Sequence, residues 1–341
     1  MKPETFGFPM PPLPGLQFRF ARGPEDAPGL GEIQENRIGP DGVDVDCNRE
    51  EFYTPERIEQ QLQQAQEKNQ LALWPILEVA GRIVGFGNLE HWLEEDGTHV
   101  FLHTGFIDPA FRDQGLGSFL LHWLEETARV MANQQFPGEP FELAANASST
   151  EVSSTRLLAE NGYHAPYSVL AFRLDHPLSS PPPPLFPGVE RITAKLENME
   201  QIARSVKESY RDEYEGGRFD EKQGLEDYLE ELLSLEKHWQ YWQVATVGGK
   251  VVAQVLPVVH APQAEIVEVS VLPSWRRKGI ARSLLLRAIH LLQAQGVSDI
   301  RLFTLSTFPT RARDLYQQVG FSLQKEFPRY RKSPYSANAT E

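Results

Sequence analysis

Apolar positions fall into two sets of the same shape, one in each half of the chain. WPILEVAGRIVGFGNL (74–89) is rich in β-branched and apolar residues and is interrupted at Ala80-Gly81. YWQVATVGGKVVAQVLPV (241–258) is interrupted in the same way at Gly248-Gly249. Two such runs around a glycine-containing pair predict a β-hairpin in each half. Farther on, SFLLHWLEETARVM (118–131) and RSLLLRAIHLLQAQG (282–296) repeat apolar residues at helical spacing. The second run stops at Gly296, a residue suited to a helix C-terminus. A strand-helix pair follows in both halves: FELAANAS before STRLLAENGY, and DIRLFTL before TRARDLYQQVGF.

The two sets are in register. FIDPAFRDQGLG (106–117) lies over SVLPSWRRKGIA (270–281), matching Pro109 with Pro273, Arg112 with Arg276, Gly115 with Gly279 and Gly117 with Ala281. Gly162-Tyr163 matches Gly320-Phe321. Both halves therefore read β, helices, hairpin, strand, glycine turn, helix, strand, helix, which is a tandem duplication. Between them lies DHPLSSPPPPLFPG (175–188), whose four consecutive prolines cannot continue a helix or a central strand. Its place at the midpoint favours a stiff polyproline II spacer over a docking site for a partner's proline-binding groove. The expected domains are residues 1–174 and 189–341, joined by a linker at 175–188.

Composition narrows the classes of function. Of the 341 residues, 40% are hydrophobic and 23% charged, as in globular proteins. A formal net charge of −14 argues against a general nucleic-acid binder and against anionic membrane surfaces. It suits a cationic acceptor. Cys47 is the only cysteine, so no intrachain disulfide and no cysteine-rich metal site is expected. The first residues lack a basic segment followed by an apolar one, and no apolar run approaches a membrane span. The expectation is a soluble, cytoplasmic protein, with a homodimer among its forms.

The element R-x-x-G-x-[G/A] sits between a strand and a helix in each half. Glycine permits a tight turn and close approach to a ligand, and the first amides of the helix favour an anion. The turn is not a Walker P-loop, because G-x-x-x-x-G-K-[ST] is absent, nor a complete dinucleotide fingerprint. Val271-Leu272-Pro273, Arg276 to Ala281, and Leu315-Tyr316 to Phe321 together resemble the signature of the GCN5-related N-acetyltransferase (GNAT) family. The resemblance covers about residues 17–173 and 189–332, and the tandem arrangement is similar to that of mycothiol synthases. It implies an α/β fold of two GNAT-like domains, each a mixed, mostly antiparallel sheet with helices on both faces. It implies acetyl-CoA or another acyl-CoA as cofactor and direct attack by a primary amine. In the second copy Arg276, Arg277, Lys278, Gly279, Ile280 and Ala281 would hold the pyrophosphate, with Val269, Ser270 and Val271 along the pantetheine. In the first, Arg112, Asp113, Gln114, Gly115, Leu116 and Gly117 would do the former. One departure is Pro309, where many members have Asn.

The amine must lose a proton to attack, and the departing thiolate benefits from an acid. By the resemblance, Tyr316 fills the acid's position. Glu265 precedes Arg276 at the spacing of the general base in GCN5-type histone acetyltransferases, and Glu268 is the second candidate. On a regular strand the two carboxylates face opposite ways, with Glu265 in phase with Val267, Val269 and Val271. In the first copy Leu158 stands at the tyrosine position, and Phe101 and Thr104 at those of Glu265 and Glu268. The first copy is therefore expected to keep a cofactor cradle but to be non-catalytic, His103 being the one residue there to watch as a stand-in base. His91, His99 and His103 lack the companions of a metal site, so no metal is expected. The acidic, aromatic run at 210–222 falls where such domains shape the acceptor pocket, which nominates Tyr210, Tyr214 and Phe219. The expected function is acetyl transfer to a small-molecule amine. The rival readings are a protein or peptide N-acetyltransferase and an inactive CoA sensor or scaffold.

Overall fold

The computed structural model describes residues 7–94, 96–210, 224–308 and 312–334. The chain divides into two compact units, residues 1–168 with 327–341, and residues 169–326. In the first half, β1 (Leu16–Phe20) leads to α1 (Ala27–Arg37) and α2 (Pro55–Glu67). Thr54 caps α2 by accepting from the Arg57 amide, and Pro55 occupies the first turn, where its missing N–H costs nothing. The hairpin β2 (Pro75–Val79) and β3 (Arg82–Leu93) follows, then β4 (His99–Ile107), α3 (Leu116–Gln135), β5 (Phe141–Asn146), α4 (Val152–Glu160) and β6 (His164–Leu174). The second half repeats the order: β7 (Glu190–Ile192), α5 (Leu196–Ser209), α6 (Leu225–Ser234), β8 (Gln243–Val247), β9 (Lys250–His260), β10 (Gln263–Val271), α7 (Ile280–Ala294), β11 (Asp299–Leu305), α8 (Ala312–Val319) and β12 (Phe321–Lys332). The hairpin turns fall where the sequence puts them. Ala80-Gly81 and Gly248-Gly249 all have positive φ, the geometry that matches the twist of a two-residue hairpin.

Each unit is a mixed sheet with a core on either face. In the first unit the order is β1-β2-β3-β4-β5-β12, with β4 and β5 parallel and the other pairs antiparallel. Leu120, Trp123 and Leu124 of α3 pack on one face with Leu77, Phe101 and Leu143. Leu30 and Ile33 of α1 and Ile58 and Leu62 of α2 pack on the other with Ile76 and Phe86. In the second unit the order is β6-β11-β10-β9-β8-β7, with β10 and β11 parallel. Its α7 core holds Leu284, Leu285, Ile289, Val255 and Ile266, and its α5–α6 core holds Met199, Ile202, Leu232, Val244 and Leu256.

The last strands are exchanged between the units. Residues 329–332 of β12 pair with β5 inside the first unit, and residues 169–173 of β6 pair with β11 inside the second. The unit boundaries thus fall within these strands rather than at residues 175–188. Side chains fasten the end of β12 in the first unit. Lys332 Nζ lies 2.7 Å from Glu125 Oε1 and over the Tyr163 ring, while Arg129 Nε donates to the Pro334 carbonyl. Burial alone would raise the Glu125 carboxyl, but the Lys332 and Arg129 charges hold it below its ordinary value.

The Lys332–Glu125 pair lies almost out of water, with Glu125 3% exposed at the side chain. Arg129 Nη2, 3.1 Å from Glu125 Oε2, keeps the carboxylate paired when Lys332 is removed. Lys332→Ala, which loses one charge-assisted bond, is expected to cost about 2 kcal/mol in urea unfolding of the first unit. The depressed Glu125 pKa contributes stability that is present above about pH 4.5 and lost as the pH falls below it. The wild type is therefore expected to lose stability more steeply in acid than Lys332→Ala.

Candidate active site

In the second copy β10 carries one extra residue. β10 pairs with β9 in register from Gln263 to Ile266 and again from Glu268 to Val271, with a shift at Val267. That is a β-bulge, which bends and twists the strand that carries it. On the other side, β10 keeps its parallel ladder with β11 only as far as Ile266 opposite Leu302. Beyond that pair the two strands no longer bond to each other. Between them opens a cleft of about 600 Å³, lined by Val269, Ser270 and Val271 on one side and Phe303 and Thr304 on the other. Tyr316 and Leu315 of α8, and Gly279 and Ile280 at the start of α7, complete its wall.

The bulge corrects the phase expected for the carboxylates. Glu265, Glu268 and Ser270 lie opposite Val258, Leu256 and Gln254, alternate residues of β9, so all three share one face. Leu256 on that face packs with the α5–α6 core. Ile266, Val269 and Val271 occupy the α7 face instead. Glu265 is therefore not in phase with Val269 and Val271, and Glu265 and Glu268 do not face opposite ways. The same extra residue shifts the correspondence between copies, so Glu265 falls over Leu102 rather than Phe101. Of the two, Glu268 lies beyond the last rung shared with β11, whereas Glu265 lies within the ladder opposite Arg301.

Tyr210, at the end of α5, donates its hydroxyl to Glu268 Oε1 at 2.7 Å. Burial and the adjacent carboxylate push the Tyr210 hydroxyl well above its ordinary value, so it stays a donor. Its ring stacks on Phe308, and both line the cleft. Ser270 Oγ accepts from Gln254, which is fully buried. Tyr316 is 6% exposed and packs against Phe172 and Phe321, so it belongs to the core and to the cleft wall together. Tyr214, Phe219 and Pro309 lie outside the described residues.

The glycine turns have the same backbone in both copies. Arg277 and Gly279 have φ of 63° and 74°, and Asp113 and Gly115 have 58° and 81°. Alternating left-handed residues ahead of a helix form a concave nest of amides suited to an anion. The arginines that open the two motifs turn away from that nest. Arg276 Nε donates to the Val271 carbonyl and Nη2 to the Ser209 carbonyl, tying the loop to β10 and to α5. Arg112 donates both terminal nitrogens to Asp41, at 2.6 and 2.8 Å, and Nε to the Ile107 carbonyl. The cations left on the second turn are Arg277 and Lys278, both exposed. At the same positions the first turn has Asp113, bonded to Arg156, and Gln114.

The first copy keeps a cleft but fills it with charge. β4 has no bulge against β3, yet its ladder with β5 also ends early, at His103 opposite Ala145. The opening is about 200 Å³. Arg37 reaches into it, 2% exposed, 2.9 Å from both Asp41 and Glu151 and with its guanidinium over Phe106. Burial pushes the Glu151 carboxyl up even beside Arg37. Leu158 occupies the wall where Tyr316 stands in the second copy. His103 is bonded to the Tyr163 hydroxyl at 2.6 Å, and burial lowers its pKa to about 4, which keeps it neutral at pH 7. His91 and His99 bond to each other and stack, with His99 also on Glu139. Among the described residues no group of three or more His, Cys, Asp or Glu is placed to hold a metal ion. No described helix is long and apolar enough to cross a membrane.

Known proteins carry the same pattern. The pattern of the acetyltransferase (GNAT) family matches residues 43–134 and 200–321, together more than half of the chain. N-acetyltransferase family 8 member 3 of Rattus norvegicus is 33% identical over 111 residues, 29% of this chain. The chain spans about half the length of that curated relative, 48%. Two solved structures share the fold over nearly the full length. A GCN5-related N-acetyltransferase from Sphaerobacter thermophilus has a TM-score of 0.67 and 20% identity, covering 95% of this chain and 97% of that one. A tandem GNAT protein from the clavulanic acid biosynthesis pathway has a TM-score of 0.59 and 12% identity, covering 95% and 100%. The duplicated elements, the splayed strands and the glycine turns fit one conclusion: the chain belongs to the acetyltransferase (GNAT) family, whose pattern it carries in both halves.

Proposed function

We propose that the second unit transfers an acyl group, acetyl foremost, from acyl-CoA to a primary amine of a small molecule. The observation that carries this reading is the cleft between β10 and β11, which runs from the cationic glycine turn to Tyr316. When bound, acyl-CoA supplies a thioester carbonyl open to attack. The amides of Arg277, Gly279 and the first turn of α7 suit its pyrophosphate. Val269, Ser270 and Val271, no longer laddered to β11, offer backbone groups to the pantetheine amides.

Glu268, held by Tyr210, is the base in this reading. It takes a proton from the amine as nitrogen bonds to the carbonyl carbon. As the carbon–sulfur bond breaks, Tyr316 gives its proton to the departing sulfur. Positioning the amine against the carbonyl contributes the larger part of the rate. Glu265, on the same face as Glu268, suits a cationic acceptor. The first copy, with Leu158 for Tyr316 and an ion pair in its cleft, takes no part in transfer. The tandem form is similar to that of mycothiol synthases, and no acceptor follows from that likeness.

The test is thiol release from acetyl-CoA with a panel of primary amines. Glu268→Gln and Tyr316→Phe are each expected to lower kcat/KM about a hundredfold with any amine the wild type accepts. Leu158→Ala is expected to leave it unchanged. Tyr210→Phe removes a hydrogen bond that favours the ionised carboxylate. It is therefore expected to move the acid limb of the pH profile upward by about one unit. Full activity in Tyr316→Phe and Glu268→Gln together would sink the assignment.

A further inference from the structure

Gln254 and Ser270 form a polar pair inside the second unit. They face each other across β9 and β10, and Gln254 Nε2 donates to Ser270 Oγ. Gln254 is wholly buried, and Ser270 is 5% exposed at the wall of the cleft. Burying polar groups is costly unless each finds a partner, and this pair falls short. Gln254 Oε1 is buried with no partner among the described residues. With the Gln254 amide on its oxygen, Ser270 is left to donate its own proton, and among the described residues none accepts it. Turning the amide over would let Ser270 donate to Gln254. It would then strand two N–H groups in place of one carbonyl oxygen, the costlier arrangement.

The first copy shows that the fold does not need this pair. Counted from the hairpin turn, Phe86 stands at the position of Gln254; counted from the glycine turn, Phe106 stands at that of Ser270. The two phenylalanines face each other across β3 and β4 in the same way, both buried, with ring centres 5.1 Å apart. They belong to the core beneath α1 and α2, the counterpart of the α5–α6 core. A sheet that can carry two packed rings here carries instead an incompletely bonded polar pair, and does so in the copy with the larger cleft. The missing partner is therefore sought on a ligand.

The neighbours of Ser270 say what that ligand group is. Ser270 shares the face of Glu265 and Glu268 and lies two positions beyond Glu268, so the Glu268 and Ser270 side chains start about 7 Å apart. As a donor, Ser270 needs an acceptor atom, and the carboxylates on its face disfavour a negative one. We propose that Ser270, positioned by Gln254, is a specificity-determining residue. Its hydroxyl donates to an uncharged oxygen two carbons from the attacking nitrogen of the acceptor, as in a 2-amino alcohol or an α-amino amide. This rests on the reading of Glu268 as the base in the same cleft. The nitrogen on Glu268 and the oxygen on Ser270 are then held by neighbouring side chains of one strand face, which fixes the approach of the amine. A plain alkylamine has no such oxygen and is held at one end only.

The test is thiol release from acetyl-CoA by the full chain with 2-aminoethanol, glycinamide and n-propylamine, the last carrying a methyl where the first carries a hydroxyl. The readout is the ratio of kcat/KM for each oxygen-bearing amine to that for n-propylamine, compared between variants so that differences in amine basicity cancel. Ser270→Ala is expected to lower the ratio about tenfold, mainly through KM, and Ser270→Thr to keep it. Gln254→Met, which removes the bond and keeps the bulk, is expected to lower it in the same direction. A fall with 2-aminoethanol, with glycinamide or with both supports the inference and names the source of the oxygen. Ratios unchanged in Ser270→Ala, or activity with other primary amines but with neither oxygen-bearing probe, overturn the inference and leave the acyl-transfer reading standing. No thiol release with any primary amine overturns both.

Discussion

Parallel strands β10 and β11 share a ladder only to Ile266 and Leu302, and the cleft of the second unit opens beyond that last rung. A strand edge facing into a protein leaves amides and carbonyls that need partners. In the second unit that edge opens on a cleft, so its backbone groups are available to a ligand with amides of its own. Val267 adds to this geometry. As an extra residue it bends β10 locally while β10 stays paired to β9, although the parallel ladder also ends early in the first copy, which has no bulge. It also turns both glutamates to the α5–α6 face, away from the α7 face that carries Val269 and Val271. The bulge therefore separates a hydrophobic wall from a carboxylate wall within one short strand.

The two copies separate what the fold does from what the side chains do. Both have the parallel pair that ends early, and both have two left-handed residues before the long helix. They differ in what occupies that frame. The second turn exposes Arg277 and Lys278, and its cleft ends on Tyr316. The first places Asp113 where a phosphate would approach, and fills its smaller cleft with Arg37 bonded to Glu151 and Asp41. A buried ion pair of this kind is expensive to break, so the first cleft is locked by its own side chains.

Much of the fold was legible in the sequence because glycine and hydrophobic period act locally. Ala80-Gly81 and Gly248-Gly249 marked the hairpins, and Gly115 and Gly279 marked the helix starts. The sequence could not reveal the bulge at Val267, which depends on pairing with β9, and so the phase assigned to Glu265 was wrong. Nor did it reveal the exchanged strands. β12 reads FSLQKEFPRYRK, whose charges and proline blur any alternation, and partner choice is a long-range matter. The motif arginines illustrate another limit. Arg112 and Arg276 match in register, yet Arg112 is held by Asp41 and the Ile107 carbonyl, and Arg276 by the Val271 and Ser209 carbonyls. Tyr210 was nominated for the acceptor, and its bond to Glu268 is visible only once α5 is laid against β10.

The central claim is that one copy, the second, holds acyl-CoA. Its most direct test is the stoichiometry of acetyl-CoA binding to the full chain by calorimetry, repeated with Gly279→Val, which puts a β-branched residue at a left-handed position of the second turn. The account predicts one site per chain, lost in the variant. Two sites, or one that survives the substitution, would contradict it.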